Sequence, residues 1–250
     1  MTIYEQFKRE CAEEVAIQGA DPALGRASSA WMNLANSRKY SYHFEWLGRP
    51  IIQYPQDLIA MQEIIWSVQP DLIIETGIAH GGSLIFSASI LELNAGCGGP
   101  QDAEVLGLDI DIRPHNREAI EGHPMFKRIT MIEGSSIDDA VAAKVHDFAR
   151  SKKRVLVILD SNHTHMHVRR ELELYSSLVK AGSYLIVFDT VIEDMPEDAF
   201  PDRPWGKGDN PKIAVWEFLE SNDRFEISRE IQDKLLLTVA PDGYLKCLKD

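Results

Sequence analysis

The sequence predicts an α/β protein of the Rossmann-like kind. It should hold a mainly parallel seven-stranded sheet with a C-terminal antiparallel hairpin, preceded by an N-terminal helical cap. Three observations carry that expectation. From Pro70 onward, short apolar runs ending in Gly or an acid alternate with segments of helical apolar spacing. The runs, such as Val155-Leu156-Val157-Ile158-Leu159, are apolar at every position, which marks strands buried on both faces and a parallel sheet under helices. The C-terminal end then changes to short β-type runs, with a tight turn at Pro241-Asp242-Gly243.

In order along the chain, residues 4–18 have helical spacing and are broken by Asp21-Pro22. Residues 31–49 set Trp31, Tyr40, Tyr42, Phe44 and Trp46 among polar neighbours. That is too aromatic for a linker and too irregular for a strand, so residues 1–55 are assigned as a cap over a domain of residues 56–250. Residues 56–68 form a helix whose stripe is Leu58, Met61, Ile65 and Val68. The first strand is 71–75, followed by an apolar helix over 83–93 closed by Gly96. The second strand is 105–109, and the helix over 114–121 begins with Pro114, whose missing N–H costs nothing there. The third strand, 129–132, precedes a helix over 136–151 with Asp138 and Asp139 at its positive end. The fourth strand is 155–159, then a helix over 164–180 with a Val168, Leu172, Tyr175, Val179 stripe, then the fifth strand, 183–188. A helix over 211–221 leads to strands at 225–230, 235–239 and 244–248, the last two paired as a hairpin.

Charge and cysteine usage exclude several functions. Thirty-nine acids against 26 Lys and Arg give a net charge of −13, which repels phosphate backbones and anionic surfaces, so nucleic acid is not the partner. Cys11, Cys97 and Cys247 are too scattered for a disulfide framework or a zinc site, which points to a reducing compartment. Residues 1–10 are unlike a signal peptide, and no apolar run approaches the roughly 20 residues needed to span a bilayer. A soluble cytoplasmic protein is expected, and the N-terminal aromatics point to a homo-oligomer.

In an open parallel sheet, ligands sit beyond the carboxyl ends of the strands at the switch point. The first strand runs into Glu75-Thr76-Gly77-Ile78-Ala79-His80-Gly81-Gly82-Ser83. This G-x-x-x-G-G turn suits a nucleoside ligand without a pyrophosphate better than NAD; the alternative is a plain glycine-rich turn. Asp109, at the end of the second strand, is placed to accept ribose hydroxyls, and Asp111 falls on the same side of an extended chain. After the third strand, Glu133-Gly134-Ser135-Ser136 is a short polar turn suited to an adenine edge.

Asp160 follows the fourth strand and Asp189 the fifth. Two carboxylates above one spot repel unless one is protonated or a cation is shared, and hard oxygen donors with room for water suit Mg²⁺. Glu193 and Asp194 lie just beyond as further ligands. The alternative is that Asp160 caps the next helix and the others are solvated loop acids. His163, His165 and His167 alternate, but a helix from Thr164 aims His165 and His167 about 200° apart, so they cannot chelate one ion together. His163 sits in the loop over the cleft as the general-base candidate, imidazole being the group that exchanges protons most readily near neutral pH. A helix-start histidine with no catalytic role is the alternative. Residues 190–210 are long, acidic and proline-rich around Trp205, which fits a substrate lid.

At these residues the sequence resembles the cephalosporin hydroxylase family, which has the class I S-adenosylmethionine (SAM) methyltransferase fold and includes rhamnosyl O-methyltransferases among its relatives. The matching pieces are Trp46-Leu47-Gly48-Arg49-Pro50-Ile51, the run from Pro70 to Gly77, Asp109-Ile110-Asp111-Ile112-Arg113, Leu159-Asp160-Ser161-Asn162-His163 and Phe188-Asp189-Thr190. The resemblance implies SAM on the Glu75–Ser83 turn and Asp109, and a divalent metal at Asp160. The metal strands are also similar to those of catechol-type O-methyltransferases, where Asp then Asn stands on the fifth strand; here Thr190 follows Asp189, and His163 replaces a basic Lys.

The expected activity is SAM- and Mg²⁺-dependent O-methylation of a sugar hydroxyl, on a polysaccharide or glycosylated natural product. The SAM contacts expected are Glu75, Gly77, His80, Gly81, Ser83, Asp109, Ile110, Asp111, Ser135, Ser136 and Asp160. Metal ligands are expected at Asp160, Asp189, Glu193 and Asp194, and the saccharide among Tyr42, Trp46, His163 and Trp205. Three rivals stand beside it: an NAD-dependent oxidoreductase, a metal-dependent hydroxylase using the histidines, and a non-catalytic SAM-binding partner protein.

Overall fold

The computed structural model describes all 250 residues. It opens with helix α1, Ile3–Gly19, where Thr2 and Glu5 close a reciprocal capping box. Helix α2 spans Pro22–Asn36, with Asp21 accepting from the Ala23 amide and Pro22 in the first turn. Asp21-Pro22 therefore starts a second helix as well as ending the first. The aromatic stretch holds a small hairpin, β1 (Phe44–Trp46) and β2 (Arg49–Ile51). Leu47 and Gly48 both take positive φ, at 47° and 82°, the two-residue turn that matches strand twist.

The remaining elements are α3 (Pro55–Val68), β3 (Leu72–Thr76), α4 (Gly82–Gly96), β4 (Glu104–Asp109), α5 (Pro114–Glu121), β5 (Ile129–Glu133) and α6 (Asp139–Ala149). Then follow β6 (Val155–Leu159), α7 (His165–Tyr175), β7 (Tyr184–Val187), α8 (Pro211–Ser221), β8 (Phe225–Ile227), α9 (Arg229–Leu235) and β9 (Tyr244–Cys247). Seven strands form one sheet in the order β5-β4-β3-β6-β7-β9-β8. The pairs from β5 to β7 are parallel, and β9 runs antiparallel between β7 and β8. Each face packs its own apolar layer. Ile73, Val105, Leu156 and Ile186 point to one side, and Leu72, Leu106, Val157 and Leu185 to the other. That two-sided burial is why β6 and β7 are apolar at every position. The chain order reverses beside β3, which opens the cleft between the β3, β4 and β6 ends.

Two expectations fail at the C-terminus. Residues 235–239 are not a strand: α9 runs through Leu235, and Leu235 and Leu237 are apolar because they pack against the core. The antiparallel partners of β9 are β7 and β8, so Pro241-Asp242-Gly243 does not join two strands. It leads into β9 beside β7, where a Cβ on Gly243 would lie 2.1 Å from the Val187 carbonyl oxygen. No helix is long and apolar enough to cross a membrane.

Candidate active site

A cavity of about 610 Å³ lies over the carboxyl ends of β3, β6 and β7. Its floor is the turn from β3 into α4. Gly77 (φ 90°) crosses so close to β6 that a Cβ would sit 2.1 Å from the Asp160 carbonyl oxygen. Ala79 and Gly81 also take left-handed φ, at 46° and 81°. The carboxylate of Asp109 builds this turn from outside: Oδ2 accepts from the Ile78 amide (2.8 Å) and the Ala79 amide (3.2 Å), and Oδ1 from the Asp111 amide (3.1 Å). Glu75 lies beneath it, fully buried. The Ser83 hydroxyl donates to one carboxylate oxygen, the other has no partner, and burial pushes the carboxyl up to about 7.

Gly77, His80 and Ser83 line the cavity, whereas Asp109, Ile110, Asp111, Ser135 and Ser136 do not. Ile110 is 73 % exposed and Asp111 is exposed. Ser136 is buried, with its hydroxyl 3.0 Å from His167 Nε2. His167 Nε2 also lies 3.2 Å from the Ser161 hydroxyl, which donates to the buried Glu171. His165 turns away to Glu217 (2.9 Å), so the two histidines do diverge.

Asp160, His163 and Asp189 offer ligand atoms that all lie within 4.8 Å of one another. His163 Nδ1 is 3.2 Å from Asp189 Oδ2, and the imidazole packs edge-on to Trp205 at 4.9 Å. Asp189 itself holds a left-handed φ of 56°, backbone strain of the kind that gathers at functional sites. Burial, then Asp189 and Glu75, drive the Asp160 carboxyl well above the ordinary carboxylate range, and the Gln53 amide (3.3 Å) opposes them. Two crowded carboxylates and an imidazole at a cavity wall are a donor set that fits a divalent cation.

Glu193 and Asp194 do not join this cluster. Glu193 accepts from the Gly208 amide and from Asn210, bracing the long loop, and Asp194 pairs with Lys212 at 2.6 Å. The Thr190 hydroxyl is likewise used, on the Pro241 carbonyl. Tyr42 and Trp205 line the cavity, but Trp46 does not: it packs on Phe86 (4.9 Å) and donates to the Ser89 hydroxyl. Gln53 and Arg203 also line the wall and were not singled out from the sequence. Gln53 carried no local signal beyond following the Trp46–Ile51 match.

The sequence model of the Rhamnosyl O-methyltransferase/CmcI family matches residues 38–248. A rhamnosyl O-methyltransferase of Mycobacterium bovis is 31 % identical over 193 residues, covering 76 % of this chain and 72 % of that protein. Its Mycobacterium leprae counterpart is 30 % identical over 206 residues, covering 80 % and 81 %. Among solved structures, a Mg-SAM form of CmcI superposes with a TM-score of 0.56 at 18 % identity, covering 83 % of this chain and 77 % of that one. An O-methyltransferase from Bacillus cereus in complex with SAH gives 0.51 at 13 % identity, covering 90 % and 91 %. Likeness at that identity establishes the fold, and the sequence matches establish the kinship: the chain belongs to the rhamnosyl O-methyltransferase/CmcI family.

Proposed function

We propose that the protein is a SAM-dependent, divalent-metal-assisted O-methyltransferase acting on a sugar hydroxyl. The observation that carries this reading is the Asp160, His163, Asp189 cluster in the wall of the strand-end cavity, beside the glycine-rich turn of a chain from an O-methyltransferase family. When bound, SAM supplies a methyl group activated on a sulfonium, and the cation supplies Lewis acidity toward the acceptor oxygen.

The chain's own residues do the rest. The β3–α4 turn (Gly77, His80, Gly81, Ser83), with Glu75 beneath it, holds the SAM amino-acid end. The Asp109-Ile110-Asp111 corner and Ser135-Ser136 take the nucleoside end. Asp160 and Asp189 hold the cation. Asp189 also orients His163 through Nδ1, at 3.2 Å, which leaves Nε2 free to accept the acceptor hydroxyl's proton. Tyr42 and Trp205 offer faces on which a sugar ring can stack. Holding acceptor and donor in line is the larger contribution, since the methyl is already activated.

Residues 1–55 serve as the cap, a reading supported by Asn36 and Tyr42 in the cavity wall. A reducing, cytoplasmic setting accords with three free cysteines, and a homo-oligomer with the exposed Ile3, Tyr4 and Phe7. The test is calorimetry with SAM, SAH and NAD, followed by SAH release over a panel of rhamnosides and other glycosides with Mg²⁺. Micromolar SAM binding, and a His163→Ala variant that keeps it while losing about 100-fold in kcat, are expected. Failure to bind SAM or SAH would end the methyltransferase reading.

A further inference from the structure

The motif Trp46-Leu47-Gly48-Arg49-Pro50-Ile51 has no part in the chemistry above. Its hairpin is nevertheless docked on the helix that the glycine-rich turn feeds. Trp46 is anchored on α4 through Phe86 and Ser89, and a Cβ on Gly82 would lie 2.2 Å from the Pro50 carbonyl oxygen. From that base the Arg49 guanidinium reaches the turn. Nη2 and Nε donate to the His80 carbonyl at 2.6 and 3.1 Å, and Nη2 also donates to Asn116 Oδ1 at 3.2 Å. Because Oδ1 of Asn116 is taken by Arg49, its Nδ2 faces the Ala79 carbonyl, to which it donates at 2.8 Å.

Peptide planarity gives this consequence. Fixing the Ala79 carbonyl aims the His80 N–H from the opposite edge of the same plane. That N–H makes no intramolecular hydrogen bond, and both residues line the cavity. Fixing the His80 carbonyl likewise holds the Gly81 amide on Ile78 (2.7 Å), which closes the turn. Ala79 sits at a left-handed φ that a side-chain-bearing residue does not hold without external support.

We propose that Arg49 is a positioning residue of the SAM site: together with Asn116 it locks the 77–83 turn in its strained form with the His80 N–H free for ligand. This rests on the methyltransferase reading for the ligand, though not for the lock. Lysine cannot replace it, since its shorter chain ends in one ammonium and lacks the planar Nε/Nη2 pair that clamps the His80 carbonyl.

The experiment compares wild type with Arg49→Ala, Arg49→Lys and Asn116→Ala by three readouts: amide hydrogen exchange over residues 77–83, SAM and SAH calorimetry, and Mn²⁺ binding by electron paramagnetic resonance. Expected are faster exchange confined to the turn, SAM affinity down about tenfold or more, and Mn²⁺ affinity unchanged. Arg49→Lys should behave like Arg49→Ala, and Arg49→Ala with Asn116→Ala should be less than additive because they share one network. Wild-type exchange and SAM affinity in Arg49→Lys would overturn the proposal. So would equal losses of SAM and Mn²⁺ binding, which would mark Arg49 as general scaffolding. If wild type binds no SAM, the functional reading fails, and turn exchange alone still decides the lock.

Discussion

A methyl group on Gly77 would meet the Asp160 carbonyl oxygen at 2.1 Å, at a φ of 90° that L-residues avoid, so this position couples the turn to the cation cluster. Gly77→Ala should cost about 2–3 kcal/mol of stability in urea unfolding and displace Asp160 enough to weaken Mn²⁺ binding as well. The acids beyond β7 separate by partner. Asp189 faces His163 and Asp160, whereas Asp194 neutralises Lys212, which is 7 % exposed. Asp189→Asn should therefore lower cation affinity by about 10–100-fold, with Asp194→Asn within about twofold of wild type in the same Mn²⁺ titration. Equal effects would mean that the long loop rearranges to bring Asp194 to the ion.

The long loop between β7 and α8 is fastened at its far end by Asn210, which is fully buried. Its Oδ1 accepts from the Lys212 amide at 3.0 Å, capping α8, and its Nδ2 donates to Glu193 and the Gly206 carbonyl. Asn210→Ala should cost about 2 kcal/mol and speed proteolysis between residues 196 and 209, read by urea midpoint and limited digestion. The same loop shows what the sequence could and could not disclose. Asp160 and Asp189 were legible because a topological rule puts strand-end residues at the cleft. Glu193 and Asp194 were not, since their partners Asn210 and Lys212 lie on the far side of the loop. The central parallel strands announced themselves through two-sided burial, while the β1–β2 hairpin hid behind a Leu at positive φ and a Pro paired with Glu45. Residues 235–239 misled for a physical reason, since apolar content records burial and burial does not specify strand. In the same way, Asp109 gave away its place at the end of β4 but not its use on two turn amides.

At the scale of the molecule, one carboxyl ties the helix before the sheet to the end of the chain. Asp57 on α3 is fully buried and accepts from the Thr238 hydroxyl, the Val239 amide (3.0 Å) and the Tyr244 hydroxyl (2.6 Å). Those bonds favour the charged form, yet burial outweighs them and pushes the carboxyl from its ordinary 3.8 up to about 6. Between those two values the folded chain keeps a proton that the unfolded chain has released. Stability therefore falls as pH rises across that window and levels off above it. At 1.36 kcal/mol per pH unit, the loss is about 2 kcal/mol between pH 4 and pH 7. Other carboxylates titrate over the same range, so the difference between wild type and Asp57→Asn is the quantity to follow. Asparagine loses nothing by deprotonation. Whatever its offset at pH 4, the variant should gain about 2 kcal/mol on wild type by pH 7, read from urea unfolding at each pH. Parallel curves would mean that the folded protein admits water to Asp57, and that α3 and the 238–244 segment part more readily than their packing implies.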